Sequence, residues 1–129
     1  MICYESIYGE FATGYAANGA DFLAIITNDA WWGVTEGHRQ HLNYAKLRAI
    51  ETRRSIARSA NTGISAIIDQ TGTIVSSLEY EKQGALHGTL KTNDKITFYV
   101  KAGNYIARIA IFLSIFIFLF AITPRRKKI

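Results

Sequence analysis

The chain has 129 residues, enough for one compact domain, and its single cysteine, Cys3, excludes an intrachain disulfide. Lysine and arginine number 15 against 10 acidic residues, a net charge of +5, but four of these positive charges stand together in Arg125–Lys128. The rest of the chain is therefore close to neutral, which argues against nucleic-acid binding, since such proteins carry their excess positive charge over a folded face.

The first third of the chain predicts a helix, a strand and an aromatic loop. Ser6–Asn18 predicts a helix because its apolar residues recur at four-residue spacing, and Asn18-Gly19 is a typical helix end. Phe22–Thr27 is a continuous apolar run rich in strand formers, which indicates a buried strand of a parallel or mixed sheet. Asn28–Gly37 then forms a loop.

His38–Arg54 predicts an amphipathic helix whose apolar stripe includes Leu42, Ala45 and Ala49. The basic residues of this region are interpreted as a solvated face, on which Arg48 and Glu51 pair at three-residue spacing. A phosphate-binding role is the alternative, although no specific motif supports it. The basic residues in question are Lys46, Arg48, Arg53, Arg54 and Arg58.

The second half of the domain predicts strands joined by short turns. The predicted strands are Ser55–Ala60, Ile64–Asp69, Thr73–Leu78 and Ala85–Leu90. Lys91–Lys101 is expected to be a polar connector. Because helices and strands alternate along the chain, the sequence predicts an α/β layered domain.

An apolar run near the C-terminus predicts one transmembrane helix, Tyr105–Ile122, and a buried core helix is the alternative. Arg108 interrupts the run near one end, where its long side chain reaches the lipid headgroups. The basic flank places the C-terminus in the cytoplasm and the preceding domain on the outer face of the membrane. Residues 1–20 lack the basic start and apolar core of an export signal.

Cys3 is the first candidate for chemistry. A buried cysteine is ordinarily a small apolar side chain, and that interpretation stays open. With a helix from Ser6 onward, Cys3 lies at a strand-to-helix junction, where free N–H groups favour a thiolate and can hold an oxyanion.

Two other groups of residues invite a functional interpretation. The adjacent Trp31 and Trp32 are either aromatic plugs of an ordinary loop, or the rim of an apolar pocket or a membrane-dipping wedge. His38 and His41 lie one helical turn apart, a workable spacing for metal ligands, but neither His87 nor another residue supplies a third ligand at a diagnostic spacing. Surface or capping roles are favoured over zinc.

Taken in order, these segments resemble the apolipoprotein N-acyltransferases, the membrane-bound branch of the nitrilase (carbon–nitrogen hydrolase) superfamily. The matching segments are ICYES with GEF in Ile2–Phe11, ITNDAWWG in Ile26–Gly33, and Gln40–Asp69, followed by the apolar helix with its basic end. The resemblance covers about residues 2–125. Soluble nitrilases share the cysteine elbow but lack the membrane helix.

The resemblance implies the C-terminal portion of a nitrilase-like αββα sandwich over residues 1–104, one transmembrane helix over 105–122 and a basic cytoplasmic tail over 123–129. Such enzymes use a Glu–Lys–Cys triad. The cysteine takes an acyl group from a phospholipid as a thioester and passes it to the α-amine of a diacylglyceryl cysteine on a lipoprotein. This chemistry needs no metal or other cofactor.

The resemblance also assigns residues, partners and a location. Cys3 would be the nucleophile, and Tyr4 and Glu5 match family positions important for activity, Glu5 as an orienting hydrogen-bond acceptor. The substrate-binding set would be Asn28, Asp29, Trp31 and Trp32, with the tryptophans on a lipid-facing rim. The implied partners are a phospholipid donor, a lipoprotein acceptor and membrane lipid, at the periplasmic face of a bacterial inner membrane.

One departure from the family pattern bears on activity. The family's catalytic glutamate and lysine both precede the cysteine by many residues, whereas only Met1 and Ile2 precede Cys3 here. We therefore expect a C-terminal part of the enzyme that is inactive alone and that aggregates or assembles with an upstream polypeptide, since half a sandwich leaves a sheet face and edge uncovered. The alternatives are a membrane-anchored nitrilase-type amidase and a non-catalytic membrane-tethered domain.

Overall fold

A computed structural model describes residues 1–123 and shows helices alternating with strands. The helices and strands are α1 (Gly9–Ala17), β1 (Leu23–Thr27), α2 (Glu36–Thr52), β2 (Ile56–Ala60), β3 (Ser65–Ile68), β4 (Ile74–Leu78), α3 (Phe98–Ala102) and α4 (Tyr105–Ile122). Two short 3₁₀ helices, Cys3–Ile7 and Ala30–Trp32, stand before α1 and after β1.

The four strands form one sheet in the order β1-β2-β3-β4. β1 and β2 are parallel and joined through α2, whereas β2, β3 and β4 run antiparallel as consecutive hairpins. At the outer edge of β1, Ile2 pairs with Ile26 in a parallel bridge, and the Ile26 N–H donates to the Met1 carbonyl at 3.1 Å. The segment that leads into Cys3 is thereby fixed to the edge of the sheet.

The hydrophobic core lies between α2 and one face of the sheet. Its buried members are Leu23, Ile25, Leu42, Ala45, Ala49, Ile56, Ile64, Ala66 and Ile68. The opposite face of the sheet carries exposed apolar side chains, among them Ile26 and Val75. The predicted α/β fold is confirmed: one helical layer covers one face of a mixed sheet.

Three predicted elements differ from the structure. The helix predicted from Ser6 is interrupted at the extended residue Tyr8, because the Ser6 hydroxyl bonds back to the Cys3 carbonyl and α1 starts anew at Gly9. The strand predicted over Ala85–Leu90 is absent from the sheet, and this irregular segment passes over its outer face, with Gly88 against Ile67. The segment Lys91–Lys101, predicted as a polar connector, includes most of the short helix α3.

The prediction of a solvated basic face was wrong for three arginines. Arg48, Arg54 and Arg58 are all buried, because each guanidinium finds acceptors in distant segments. Arg54, for example, donates to the carbonyls of Ala20 and Lys95 at 2.6 and 2.8 Å. The expected Arg48–Glu51 ion pair is present at 2.9 Å, and burial raises the pKa of Glu51 despite the charge of Arg48.

α4 is the one helix among the described residues that is long and apolar enough to cross a membrane, and the rest of the structure leaves it uncovered. Its first turn is tied to α1: Glu10 Oε1 accepts hydrogen bonds from the Asn104 N–H and from Arg108 Nη2, both at 2.8 Å. These two partners lower the pKa of Glu10, the Asn104 hydrogen bond most. The predicted basic tail lies outside the described residues, except for Thr123.

A lysine in the middle of α4 tests its membrane role. We expect Ile115→Lys to cost about 2.5–3.5 kcal/mol of insertion free energy and to move much of the protein to the alkali-extractable fraction of membranes. Val75→Lys, which changes an apolar residue of comparable exposure on the sheet, is the control and should leave the extractable fraction unchanged. Equal extraction of both variants would contradict a spanning α4.

Candidate functional site

Cys3 stands at a tight elbow between the sheet edge and the first 3₁₀ helix. It is half-buried, and its φ of 47° is in the left-handed region, which costs a residue other than glycine about 1–3 kcal/mol. Hydrogen bonds hold this conformation on both sides. The Ile2 N–H donates to the Glu5 carboxylate at 2.6 Å, and the Ser6 hydroxyl donates to the Cys3 carbonyl at 2.8 Å.

A chain of buried polar side chains lies beneath the elbow. His41 Nε2 is 3.0 Å from Ser6 Oγ and 3.3 Å from the Cys3 carbonyl oxygen. His41 Nδ1 is 2.9 Å from Asp29 Oδ1. Ser6, His41 and Asp29 are all at most 2% exposed. The order Asp–His–Ser is that of a hydrolytic triad, but a fully buried Ser6 whose hydroxyl bonds to the backbone is not a nucleophile.

Asp29 is the charged centre of this chain. Its second oxygen accepts from Arg58 Nη2 at 2.5 Å, and its first also accepts from the Thr27 hydroxyl at 2.9 Å. Burial raises the pKa of Asp29, but the hydrogen bond from His41, the charge of Arg58 and the hydrogen bond from Thr27 together outweigh burial and bring the pKa below its ordinary value. Asp29 is therefore an ionised, buried acceptor.

Aromatic rings cover His41 on the side of the elbow. The Tyr4 ring stacks on His41 at 5.8 Å between centroids, and the Trp32 ring meets both rings, 5.6 Å from Tyr4 and 5.4 Å from His41. Trp31 is 84% exposed and makes no ring contact within residues 1–123. Asn28 is exposed, and its Oδ1 accepts from the Ala30 N–H at 3.1 Å.

The structure thus brings five of the seven predicted site residues together. Cys3, Tyr4 and Glu5 form the elbow, and Asp29 and Trp32 lie against His41 beneath and beside it. Trp31 and Asn28 stand outside this cluster, on the loop after β1. The roles in catalysis and substrate binding assigned to these seven residues remain predictions.

Comparison with known proteins identifies the family. The family model for carbon–nitrogen hydrolases matches residues 1–95. The chain belongs to the carbon–nitrogen hydrolase family. The resemblance stated from the sequence is confirmed by its relatives: the apolipoprotein N-acyltransferase of Rhizobium meliloti is 49% identical over 86 residues, and that of Bradyrhizobium diazoefficiens is 40% identical over 116 residues.

The chain covers only part of these relatives and of the solved structures. The match to the Rhizobium protein covers 67% of this chain and 16% of that protein. The match to the Bradyrhizobium protein covers 89% of this chain and 21% of that protein. Among solved structures, a variant of a nitrilase-superfamily amidase from Nesterenkonia matches with a TM-score of 0.59 and 18% identity, over 86% of this chain and 42% of the amidase. This match confirms the nitrilase-like fold.

Within this carbon–nitrogen hydrolase chain, sequence reasoning missed the roles of His41, Ser6 and Arg58. One signal was available: His41 lies four residues before Ala45 of the apolar stripe, so its side chain belongs to the buried side of α2. Both His38 and His41 are buried rather than on the surface. Residues 1–123 contain no group of three or more His, Cys, Asp or Glu side chains placed to hold a metal ion.

Gly63 makes room for the buried carboxylate of Asp29. A Cβ atom at this position would overlap the Asp29 carboxylate oxygen Oδ2, so the glycine of the turn between β2 and β3 is a packing requirement of the site.

Replacing Gly63 with alanine should therefore destabilise the domain. We expect Gly63→Ala to lower the free energy of unfolding by about 1–3 kcal/mol through overpacking, measured by denaturant titration of the full chain in detergent micelles. Gly14→Ala is the matched control: no atom lies within 4 Å of its added Cβ, and the change should raise the stability of α1 by about 0.5–1 kcal/mol. Equal stabilities of the two variants would refute the packing requirement.

Asp29→Asn tests the buried ion pair. At neutral pH this change leaves Arg58 buried without its counter-charge, and we expect a loss of about 3–5 kcal/mol in unfolding free energy. Because the folded-state pKa of Asp29 lies below its ordinary value of 3.8, its stabilisation is present above that pH and is lost as pH falls through the folded value. The difference in unfolding free energy between the wild type and Asp29→Asn should therefore become smaller in strong acid.

The control for this measurement is the exposed carboxylate Asp94. Asp94→Asn should change the unfolding free energy by less than about 0.5 kcal/mol at neutral pH. A gap between Asp29→Asn and wild type that stays constant from neutral pH into strong acid would show that the ionised Asp29 carboxylate is not what stabilises this site.

Proposed function

We propose that this chain is the nucleophile-bearing, C-terminal part of an apolipoprotein N-acyltransferase. The observation that carries the proposal is the strained elbow at Cys3, in a chain that is 40–49% identical to curated enzymes of this name and spans about a fifth of their length or less. An amidase from Nesterenkonia with the same fold shows Michael addition of acrylamide at its active-site cysteine, which supports a reactive cysteine in this chain as well.

In the proposed reaction, the Cys3 thiolate attacks the ester carbonyl of a phospholipid acyl chain. The acyl C–O bond breaks, the lysophospholipid leaves, and the acyl group remains on sulfur as a thioester. The α-amine of an S-diacylglyceryl cysteine at the N-terminus of a lipoprotein then attacks the thioester carbonyl and releases the thiol. N–H groups of the 3₁₀ helix after Cys3 would stabilise the oxyanion of each step.

The neighbours of Cys3 have proposed roles in this reaction. Glu5 accepts the Ile2 N–H, which supports its assignment as the group that orients the elbow. Tyr4 follows Cys3 in the chain and stacks, half-exposed, on His41, which supports a role for it next to the nucleophile. Asp29 would act through His41 rather than by touching substrate, since it has no exposed surface.

The general base is proposed to come from outside this chain. Within residues 1–123, no hydrogen bond to Cys3 Sγ is formed, and the family resemblance implies that the Glu and Lys of the triad precede the cysteine by many residues. A thiol without a base is mostly protonated at neutral pH. The chain alone would therefore be inactive, and an upstream polypeptide would supply the missing groups.

The lipid substrate is supported by two exposed apolar features. Trp31 and Val34, 84% and 82% exposed, project from the loop between β1 and α2, and α4 is apolar along its length. We propose that residues 1–104 are the partial nitrilase-like domain on the periplasmic face of the inner membrane, that residues 105–122 span it, and that residues 123–129 are cytoplasmic. Asn28, Trp31 and Trp32 would contact the lipid.

Acyl-thioester formation tests the proposal. The full chain and a chimera that adds the preceding region of the Rhizobium relative are incorporated into vesicles of phosphatidylethanolamine and phosphatidylglycerol and analysed by intact-mass spectrometry. We expect an acyl adduct on the chimera, lost on treatment with hydroxylamine, and no adduct on the chain alone. Cys3→Ser in the chimera is the control that must abolish the adduct.

Each other outcome points to a different function. An adduct on the chain alone would overturn the need for an external base. Release of ammonia from small amides by the chimera, without an acyl adduct, would favour the amidase alternative. A folded chimera that shows neither reaction would favour the interpretation as a non-catalytic, membrane-tethered domain.

A further inference from the structure

His41 occupies the centre of the site, between the buried Asp29 and the elbow at Cys3. Its ring contacts the Cys3 carbonyl, Ser6 and Asp29 through its nitrogens, and Tyr4 and Trp32 through its faces and edge. It is 2% exposed, so it does not touch substrate. A role in the reaction would therefore be exerted through the elbow that it supports.

The ring is held at both nitrogens. Asp29 is ionised and needs a donor, so Nδ1 carries a proton toward Oδ1. Nε2 lies 3.0 Å from the Ser6 hydroxyl oxygen, which is itself 2.8 Å from the Cys3 carbonyl oxygen, so Ser6 links the ring to the elbow. Nε2 also lies 3.3 Å from the Cys3 carbonyl oxygen directly.

We propose that His41 is a positioning residue for the Cys3 nucleophile: Asp29 fixes the ring through Nδ1, and the ring supports the left-handed elbow through the contacts of Nε2 with Ser6 Oγ and the Cys3 carbonyl oxygen. The ionisable groups that face the ring are Asp29 after β1, Arg58 on β2 and Tyr4 in the elbow. Without the contacts of Nε2, the strained elbow is free to relax and to move the thiol.

The inference rests on Cys3 being the nucleophile of the proposed function, but its test needs only a reactive thiol. Because Cys3 is the single cysteine, its alkylation by iodoacetamide gives one mass shift that can be followed against pH in the full chain in detergent micelles. We expect His41→Phe, which removes the hydrogen bonds that support the elbow, to lower the alkylation rate at pH 7 about tenfold.

Two further variants separate positioning from general loosening of α2. His38→Phe changes a buried histidine one turn earlier, whose ring stacks on Tyr80 rather than on the elbow, and its rate should stay within about twofold of wild type. His41→Gln keeps an amide donor toward Ser6 and should be alkylated faster than His41→Phe. A rate for His41→Phe within twofold of wild type, or an equal fall in His38→Phe, would overturn the proposal.

If His41→Phe does not fold, the comparison passes to His41→Gln and His41→Asn. The glutamine amide reaches toward the Nε2 position and the asparagine amide toward Nδ1, so the proposal requires faster alkylation of the glutamine variant, and equal rates would refute it. Imidazole ¹⁵N NMR reads the ring directly: a proton on Nδ1 is expected, and a ring without one would refute the hydrogen bond that Asp29 accepts from His41.

The alkylation series and the thioester assay fail independently. If the alkylation rates are as expected but the chimera forms no acyl adduct, the positioning role of His41 is supported and the proposed acyltransferase function is refuted. An acyl adduct together with unchanged alkylation rates in the His41 variants would keep the function and remove the positioning role.

Discussion

The burial of the Asp29 carboxylate is the constraint on which the rest of the site depends. Removing a carboxylate from water costs several kcal/mol, so it must be surrounded by donors. Those donors come from three elements: Thr27 at the end of β1, His41 on α2 and Arg58 on β2. Satisfying one charge therefore fixes the crossover helix against both parallel strands, and the turn glycine at position 63 leaves the space this requires.

The strain at Cys3 is sustained by this buried framework. A left-handed cysteine relaxes unless its neighbours prevent it, and here the restraint comes from the edge of β1 on one side and from Ser6 and His41 on the other. The stability of the domain and the geometry of Cys3 are therefore linked. Under the proposed role of His41, a substitution that loosens Asp29 or His41 would act on the thiol without touching it.

Periodicity in the sequence identified most of the fold but little of the buried polar site. Local patterns suffice for β1 and for α4, whose bounds Tyr105–Ile122 were predicted as the structure has them, because apolar runs depend on neighbours in sequence. The burial of Arg54 depends on carbonyls at Ala20 and Lys95, which only the folded chain brings near. The contact between His41 and Asp29, which are twelve residues apart, likewise forms only in the folded chain. The first helix was predicted to start too early because the Ser6 hydroxyl bonds to the Cys3 carbonyl, a local contact that periodicity does not reveal.

A short path joins Cys3, the proposed nucleophile, to the first turn of α4. Cys3 and Glu10 are seven residues apart, a span of at most about 25 Å even if fully extended, and the intervening 3₁₀ helix shortens it. Glu10 in turn binds the first turn of α4 through Asn104 and Arg108. If α4 spans the bilayer and Cys3 is the nucleophile, the thiol would therefore lie near the membrane surface, which fits the proposed phospholipid donor.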